Sequence, residues 1–133
     1  MGILGIGVDI VHIPRVLDVL RRRGSDKFAS RILSRKEMRE WHLKHRPSES
    51  CSTQSAQFLA VRWALKEAAY KALYPTIKPT WKDLTYQGKS KDGSKPTLQY
   101  LPSDSQIPGI TLHSSVSHDG EYVFASVIAE GRD

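Results

Sequence analysis

The sequence predicts a fold of mixed helix and strand, and three stretches predict it. Ile3 to Val11 alternates with the two-residue period of a strand. Gln54 to Tyr74 carries apolar residues at the three-four spacing of a helix, and an Asp-Gly pair separates two alternating runs between Thr111 and Ala129. At 133 residues the chain has the size of one ordinary domain, spanning 1–133.

In the first strand Leu4, Ile6, Val8 and Ile10 share one face, while Gly5, Gly7, Asp9 and Val11 share the other. The run lacks a basic leader and passes straight into Asp9, so it reads as a buried strand rather than a cleaved signal. Pro14 suits a first helical turn and opens an amphipathic helix with Val16, Leu17, Val19 and Leu20 apolar, which Gly24 ends. Arg15, Arg21, Arg22 and Arg23 make its polar side basic. Ser34 and Glu37 form a capping box, with Leu33 and Met38 as its hydrophobic staple, and predict a second helix over about Arg35 to Lys44. Arg46 to Thr53 is aperiodic and rich in turn formers, hence a loop.

The third helix takes Phe58, Val61, Leu65, Ala68 and Ala72 as its buried stripe and stops at Pro75 and Pro79. Trp81 to Gln87 and Thr97 to Leu101 read as strands around the turn GKSKDGSKP. Thr111 to Ser117 and Tyr122 to Ala129 read as a hairpin turning at His118-Asp119-Gly120.

Twenty Lys and Arg stand against fourteen Asp and Glu, a net charge of +6, which favours an acidic partner without choosing its kind. Cys51 is the only cysteine, so neither an internal disulfide nor a cysteine-rich metal site is available. No apolar run is long enough for a membrane span. The five histidines lack zinc spacing, and no Gly-rich loop of the GxxxxGKS type is present.

The chemistry therefore rests on carboxylates and lysines. Glu67 shares a helix face with Ala60, Ala64 and Lys71, small neighbours that would leave room over the carboxylate. The plain alternative is an ordinary ion pair between Glu67 and Lys71, worth about 0.2–0.5 kcal/mol. Arg62 and Lys66 are also four apart and repel unless an anion lies between them. Asp9 stands alone in an apolar run, where a buried carboxylate must be paired, hydrogen-bonded or metal-bound; it either caps the following helix or acts as a ligand. His118 in a turn is solvated unless the site claims it. Two carboxylates from distant elements, one flanked by lysines, make the pattern of a hard-cation site for phosphoryl chemistry.

GIGVDIVHIPR, FLAVRWALKEAAYKAL and SVSHDGEYVFASVIAE, in that order, resemble the holo-[acyl-carrier-protein] synthases, the small single-domain class of 4′-phosphopantetheinyl transferases. GSKPTLQY fits the family's Gly-x-Pro step into a strand. The resemblance implies an α+β fold, a small, mainly antiparallel sheet packed against a long helix and shorter ones, assembled as a homotrimer with sites at subunit interfaces. It implies transfer of the phosphopantetheine arm of coenzyme A to a serine of an apo acyl carrier protein, releasing adenosine 3′,5′-bisphosphate. Asp9 and Glu67 would hold Mg²⁺; Glu67, directly or through a water, would be the base, and Lys71 would stabilise the leaving phosphate. Arg62, Lys66, Lys71, Ser117 and His118 match positions near the nucleotide. Arg15, Arg21 and Arg22 would dock the acidic carrier.

LYPTIKPTW, where many bacterial members have a glycine-containing turn, is similar to fungal members, mitochondrial ones included, so the expected compartment is cytoplasmic or mitochondrial. No nucleic-acid or membrane partner is expected. The competing readings are a basic nucleic-acid-binding module, for which no recognised motif is present, and an inactive scaffold of the same fold.

Overall fold

The computed structural model describes residues 2–45, 51–88, 91–102 and 109–132. In chain order these form β1 (Gly2–His12), α1 (Ile13–Arg23), α2 (Ser25–Ile32), α3 (Arg35–Lys44), α4 (Thr53–Leu73), a 3₁₀ turn (Trp81–Asp83), β2 (Leu84–Gln87), β3 (Thr97–Tyr100), β4 (Ile110–Asp119) and β5 (Tyr122–Gly131). The class is α+β. An antiparallel sheet of order β1-β5-β4 carries the helices, and an antiparallel β2-β3 pair lies against β4.

The glycines of β1 exist because a helix lies on them. A Cβ at Gly7 would stand 1.9 Å from the carbonyl oxygen of Ala68, and one at Gly5 2.3 Å from that of Ala72, so only glycine lets α4 come this close. Ile3, Ile6, Val8 and Ile10 point away from α4 and remain 47–70% exposed. The expectation of a buried strand is thus corrected. One face is covered, and the more apolar one is not.

α4 packs on β1 and β5 and, on its other sides, on α1, α2 and β2. Leu59, Ala60, Ala64, Leu65, Ala68, Ala69, Ala72 and Leu73 are all fully buried, while Phe58 and Val61 of the expected stripe are only half covered. A helix with neighbours all round is small and apolar all round, and a single stripe understates it.

Gly24, at φ +88°, ends α1 by donating its N–H to the Leu20 carbonyl, and the chain restarts at once as α2. Sequence pattern missed α2 because eight residues offer only Phe28, Ala29 and Ile32 as an apolar face. α3 begins at the expected capping box: Glu37 Oε1 accepts from the Ser34 N–H at 2.8 Å, and Ser34 Oγ from the Glu37 N–H at 3.4 Å.

Further on, Trp81–Asp83 is a 3₁₀ turn and β2 starts only at Leu84. The hairpin turns at Gly120 and Glu121, with Asp119 opposite Tyr122, so His118 lies within β4 beside Val123 rather than in the turn. Of the expected loop and the GKSKDGSKP turn, residues 46–50 and 89–90 lie outside the described residues. Among the described residues no helix is long and apolar enough to cross a membrane.

Candidate active site

The contact between the glycine face of β1 and α4 is what joins residue 9 to residues 67 and 71. Lys71 Nζ donates to the Val8 carbonyl at 2.9 Å and stands 3.5 Å from Asp9 Oδ1. Its amine therefore reaches across to β1, where an ordinary surface pair would turn it along its own helix to Glu67. Burial raises the Asp9 carboxyl above its usual range, against the opposing charge and hydrogen bond of Lys71 and a weaker pull from Arg15. Glu67 is raised as well, by burial first and then by the negative charge of Asp9. The capping alternative for Asp9 is not realised, since the N-cap of α1 is His12.

Two half-buried carboxylates that disfavour each other's charge, with a single lysine paired to Asp9, make a place where a cation would relieve the repulsion. Among the described residues no group of three or more His, Cys, Asp or Glu is gathered as a metal cage. The pair fits a hard cation that fills its shell from water and substrate, as Mg²⁺ does. Ala60 and Ala64 do not open room above it. Both are fully buried, so the space their small side chains leave is filled by the protein itself.

Arg62 and Lys66 lie elsewhere in the chain: the Lys66 amine is consumed inside the protein, which corrects its expected nucleotide contact, and Arg62 is turned to the same carboxylate rather than to the Asp9–Glu67 end. Arg62 is five residues before Glu67, about 140° around the helix and about 7.5 Å along it. The anion that reconciles the two cations is Glu37, a residue that sequence reasoning saw only as a helix cap. Lys66 Nζ is wholly buried and donates to Glu37 Oε1 at 2.5 Å, the Ile32 carbonyl at 2.7 Å and the Trp81 carbonyl at 3.0 Å. All three of its donors are spent on protein. Burial lowers the Lys66 pKa, Glu37 opposes this, and Lys82 and Arg62 add to it. Arg62 is stacked on the Phe58 ring at 3.5 Å, with Glu40 at 3.5 Å and Glu37 Oε2 at 3.9 Å. Glu37 Oε2 also accepts from the Tyr86 N–H.

Ser117 and His118 stand on β4, two strands from β1. Ser117 is in register with Phe124 and through it with Ile10, on the uncovered face, opposite to Asp9. His118 aligns through Val123 with Val11, on the covered side, and is itself exposed. Of the residues expected at one site, a single chain therefore gathers only Asp9, Glu67 and Lys71.

Of the basic residues on α1, Arg15 lies over the Trp63 ring at 5.8 Å, near enough to Asp9 to influence it. Arg22 lines a surface cavity of about 360 Å³ with Arg23, Lys27, Phe28 and Arg31, and Arg21 stays exposed in the last turn of α1. Lys27 and Arg31 extend the expected basic face onto α2, which was not visible as a helix.

An antiparallel sheet laid on a central helix, with a strand carboxylate facing a helix carboxylate and a lysine, is a site of the kind that serves phosphoryl transfer. The sequence profile of the 4′-phosphopantetheinyl transferase superfamily matches residues 5–127, and the chain belongs to that superfamily. It is 39% identical to a holo-[acyl-carrier-protein] synthase of Vibrio cholerae over 98% of this chain and 99% of that one. It is 33% identical to the mitochondrial 4′-phosphopantetheinyl transferase B of Aspergillus fumigatus, over 96% of this chain and 94% of that one. A crystal structure of a holo-(acyl-carrier-protein) synthase from Bacillus anthracis in complex with CoA (3′,5′-ADP) superposes with a TM-score of 0.71 at 28% identity, covering 98% of each chain.

Proposed function

We propose that this chain, as one 4′-phosphopantetheinyl transferase domain over 1–133, is a holo-[acyl-carrier-protein] synthase. It moves the phosphopantetheine arm of coenzyme A onto a serine of an acidic apo acyl carrier protein. The observation that carries the reading is the meeting of Asp9 from β1 with Glu67 and Lys71 from α4. Asp9 and Glu67 would hold Mg²⁺, which supplies charge neutralisation for the pyrophosphate. Glu67, itself or through a water it orients, takes the proton from the carrier serine as its oxygen bonds to the phosphorus of the arm. The phosphorus–oxygen bond to adenosine 3′,5′-bisphosphate breaks, and Lys71, half exposed, meets the charge left on the departing phosphate.

The site is proposed to be shared between copies. Ser117 on the uncovered sheet face, His118 on β4 and the surface beside Arg62 would serve the nucleotide held at the Asp9–Glu67 end of a neighbouring chain, in a homotrimer. The uncovered face of β1 supports this, because it would otherwise leave Ile6, Val8 and Ile10 in water. The net charge of +6 is assigned to carrier docking by Arg15, Arg21 and Arg22, rather than to nucleic acid. The finer fungal, mitochondrial-like assignment rests on LYPTIKPTW alone, since the Aspergillus relative, at 33% identity, is no nearer than the Vibrio one at 39%.

The test is the mass of an apo carrier before and after incubation with the protein, Mg²⁺ and coenzyme A. Wild type should add the phosphopantetheine mass, omission of Mg²⁺ should stop it, and Glu67→Gln should slow it about 10²-fold or more. A wild type that leaves several apo carriers unchanged, or a fully active Glu67→Gln, would sink the proposal.

A further inference from the structure

We propose that Lys82 is a positioning residue for carrier docking: it fixes α2, and with it the cationic face shared by α1 and α2. The inference rests on the docking reading above. α2 is eight residues long, and isolated helices shorter than about 12–15 residues are marginal, so its direction must be set by what holds its ends.

Its C-terminal carbonyls are held from another part of the chain. Lys82 Nζ donates to the carbonyls of Ser30 and Leu33, the latter at 2.7 Å, and Lys66 Nζ donates to that of Ile32 at 2.7 Å. The Leu33 N–H closes onto the Ala29 carbonyl at 2.8 Å. These are carbonyls that a helix end leaves without partners, and two cations there also suit the helix dipole. The two lysines are not equivalent. Lys66 is sealed in the core by Glu37, whereas Lys82 is exposed and can be changed without opening the core.

The turn that carries Lys82 grips α2 at a second point. The Trp81 ring meets Trp63 at 5.4 Å, Trp63 meets Phe28 of α2 at 5.5 Å, and Arg15 lies over Trp63. Phe28 is also a wall of the cavity formed with Arg22, Arg23, Lys27 and Arg31. Gly24 alone joins α1 to α2, so the spacing of those four cations depends on the angle between the two helices. Asp9, Glu67 and Lys71 sit on β1 and α4 and do not depend on that angle. Loosening the Lys82 end should therefore weaken recognition of the acidic carrier and leave the chemistry intact.

The test compares steady-state kinetics of wild type, Lys82→Met, Lys82→Arg and Arg22→Glu with apo carrier and coenzyme A varied separately. Lys82→Met should raise the carrier KM about two- to fivefold, the size of a lost cation at a helix end, with kcat and the coenzyme A KM unchanged within error. Lys82→Arg should restore the wild-type value. A carrier KM unmoved by Lys82→Met while Arg22→Glu raises it would overturn the clamp alone. Loss spread equally over kcat and both KM values would also overturn it, since Lys82 would then serve the fold or the nucleotide. A silent Arg22→Glu, or a wild type without transfer activity, would remove the docking reading and this inference with it.

Discussion

Lys66 and Glu67 are adjacent in the sequence, 100° apart on one helix, and belong to different parts of the molecule. Lys66 faces the α2–α3 junction and the 3₁₀ turn, where Glu37 and two carbonyls consume it. Glu67 faces β1 and shares its surroundings with Asp9, a neighbour that disfavours its charge. Replacing one should unfold the protein and replacing the other should silence it. Lys66→Met removes the close partner of the buried Glu37 carboxylate and leaves it only Arg62 at 3.9 Å and two backbone N–H donors, which costs up to about 3–5 kcal/mol and is read from denaturant unfolding. Glu67→Gln should leave the same midpoint unchanged or slightly raised, because it removes a like-charge contact that the fold does not need. Equal loss of stability in both variants would contradict this division. Asp9, Glu67 and Lys71 stood out in the sequence as charges set in apolar elements, but the residues alone left Glu67 and Lys71 as an ordinary ion pair and Asp9 as a cap or a ligand, and only the family resemblance joined them. Glu37 did not stand out, because its role as a cap explained it fully until the structure brought two cations to the same carboxylate.

At the scale of elements, α1 presents two kinds of arginine. Arg22 lines the cavity shared with α2, whereas Arg15 lies over Trp63 and also acts on Asp9. Charge reversal should separate them. Arg22→Glu should raise the carrier KM about tenfold and flatten its salt dependence, with coenzyme A unaffected. Arg15→Glu should weaken carrier binding too, and in addition raise the coenzyme A KM, because it sets a negative charge beside the carboxylate pair. Identical profiles for the two variants in kinetics at several salt concentrations would show that this distinction is wrong. The elements that sequence predicted well are those whose ends are chemically marked. Ser34–Glu37 opens α3 as expected, and Gly24 closes α1. α2 was invisible because one glycine separates it from α1 and its stability comes from Lys82, Lys66 and Trp63, all distant in sequence. The hairpin was predicted, but its turn was displaced to Gly120–Glu121, since an Asp-Gly pair allows either placement until strand register decides.

At the scale of the whole molecule, the sheet is finished on one side only. α4 covers the inner face, while Ile6, Val8, Ile10 and Phe124 lie together on the outer one, joined by the pairing of Ile10 with Phe124. Fully burying one such side chain is worth about 1.5–3 kcal/mol, so a face of four is a strong drive to associate. Alternation alone could not tell this face from a core, because both are apolar. The proposed homotrimer makes a definite claim about catalysis: each site takes Asp9, Glu67 and Lys71 from one copy and His118 from the next. Ile10→Asp together with Phe124→Asp should give a protein of monomer mass by light scattering, with its circular dichroism intact and its transfer activity lost. Sharing itself is tested by mixing. Glu67→Gln and His118→Ala should each be weak alone, but co-refolded mixtures should regain activity, because some interfaces then join an intact Glu67 to an intact His118. Mixtures no better than the sum of their parts would mean that each chain completes its own site, and that the apolar face assembles the protein without taking part in its chemistry.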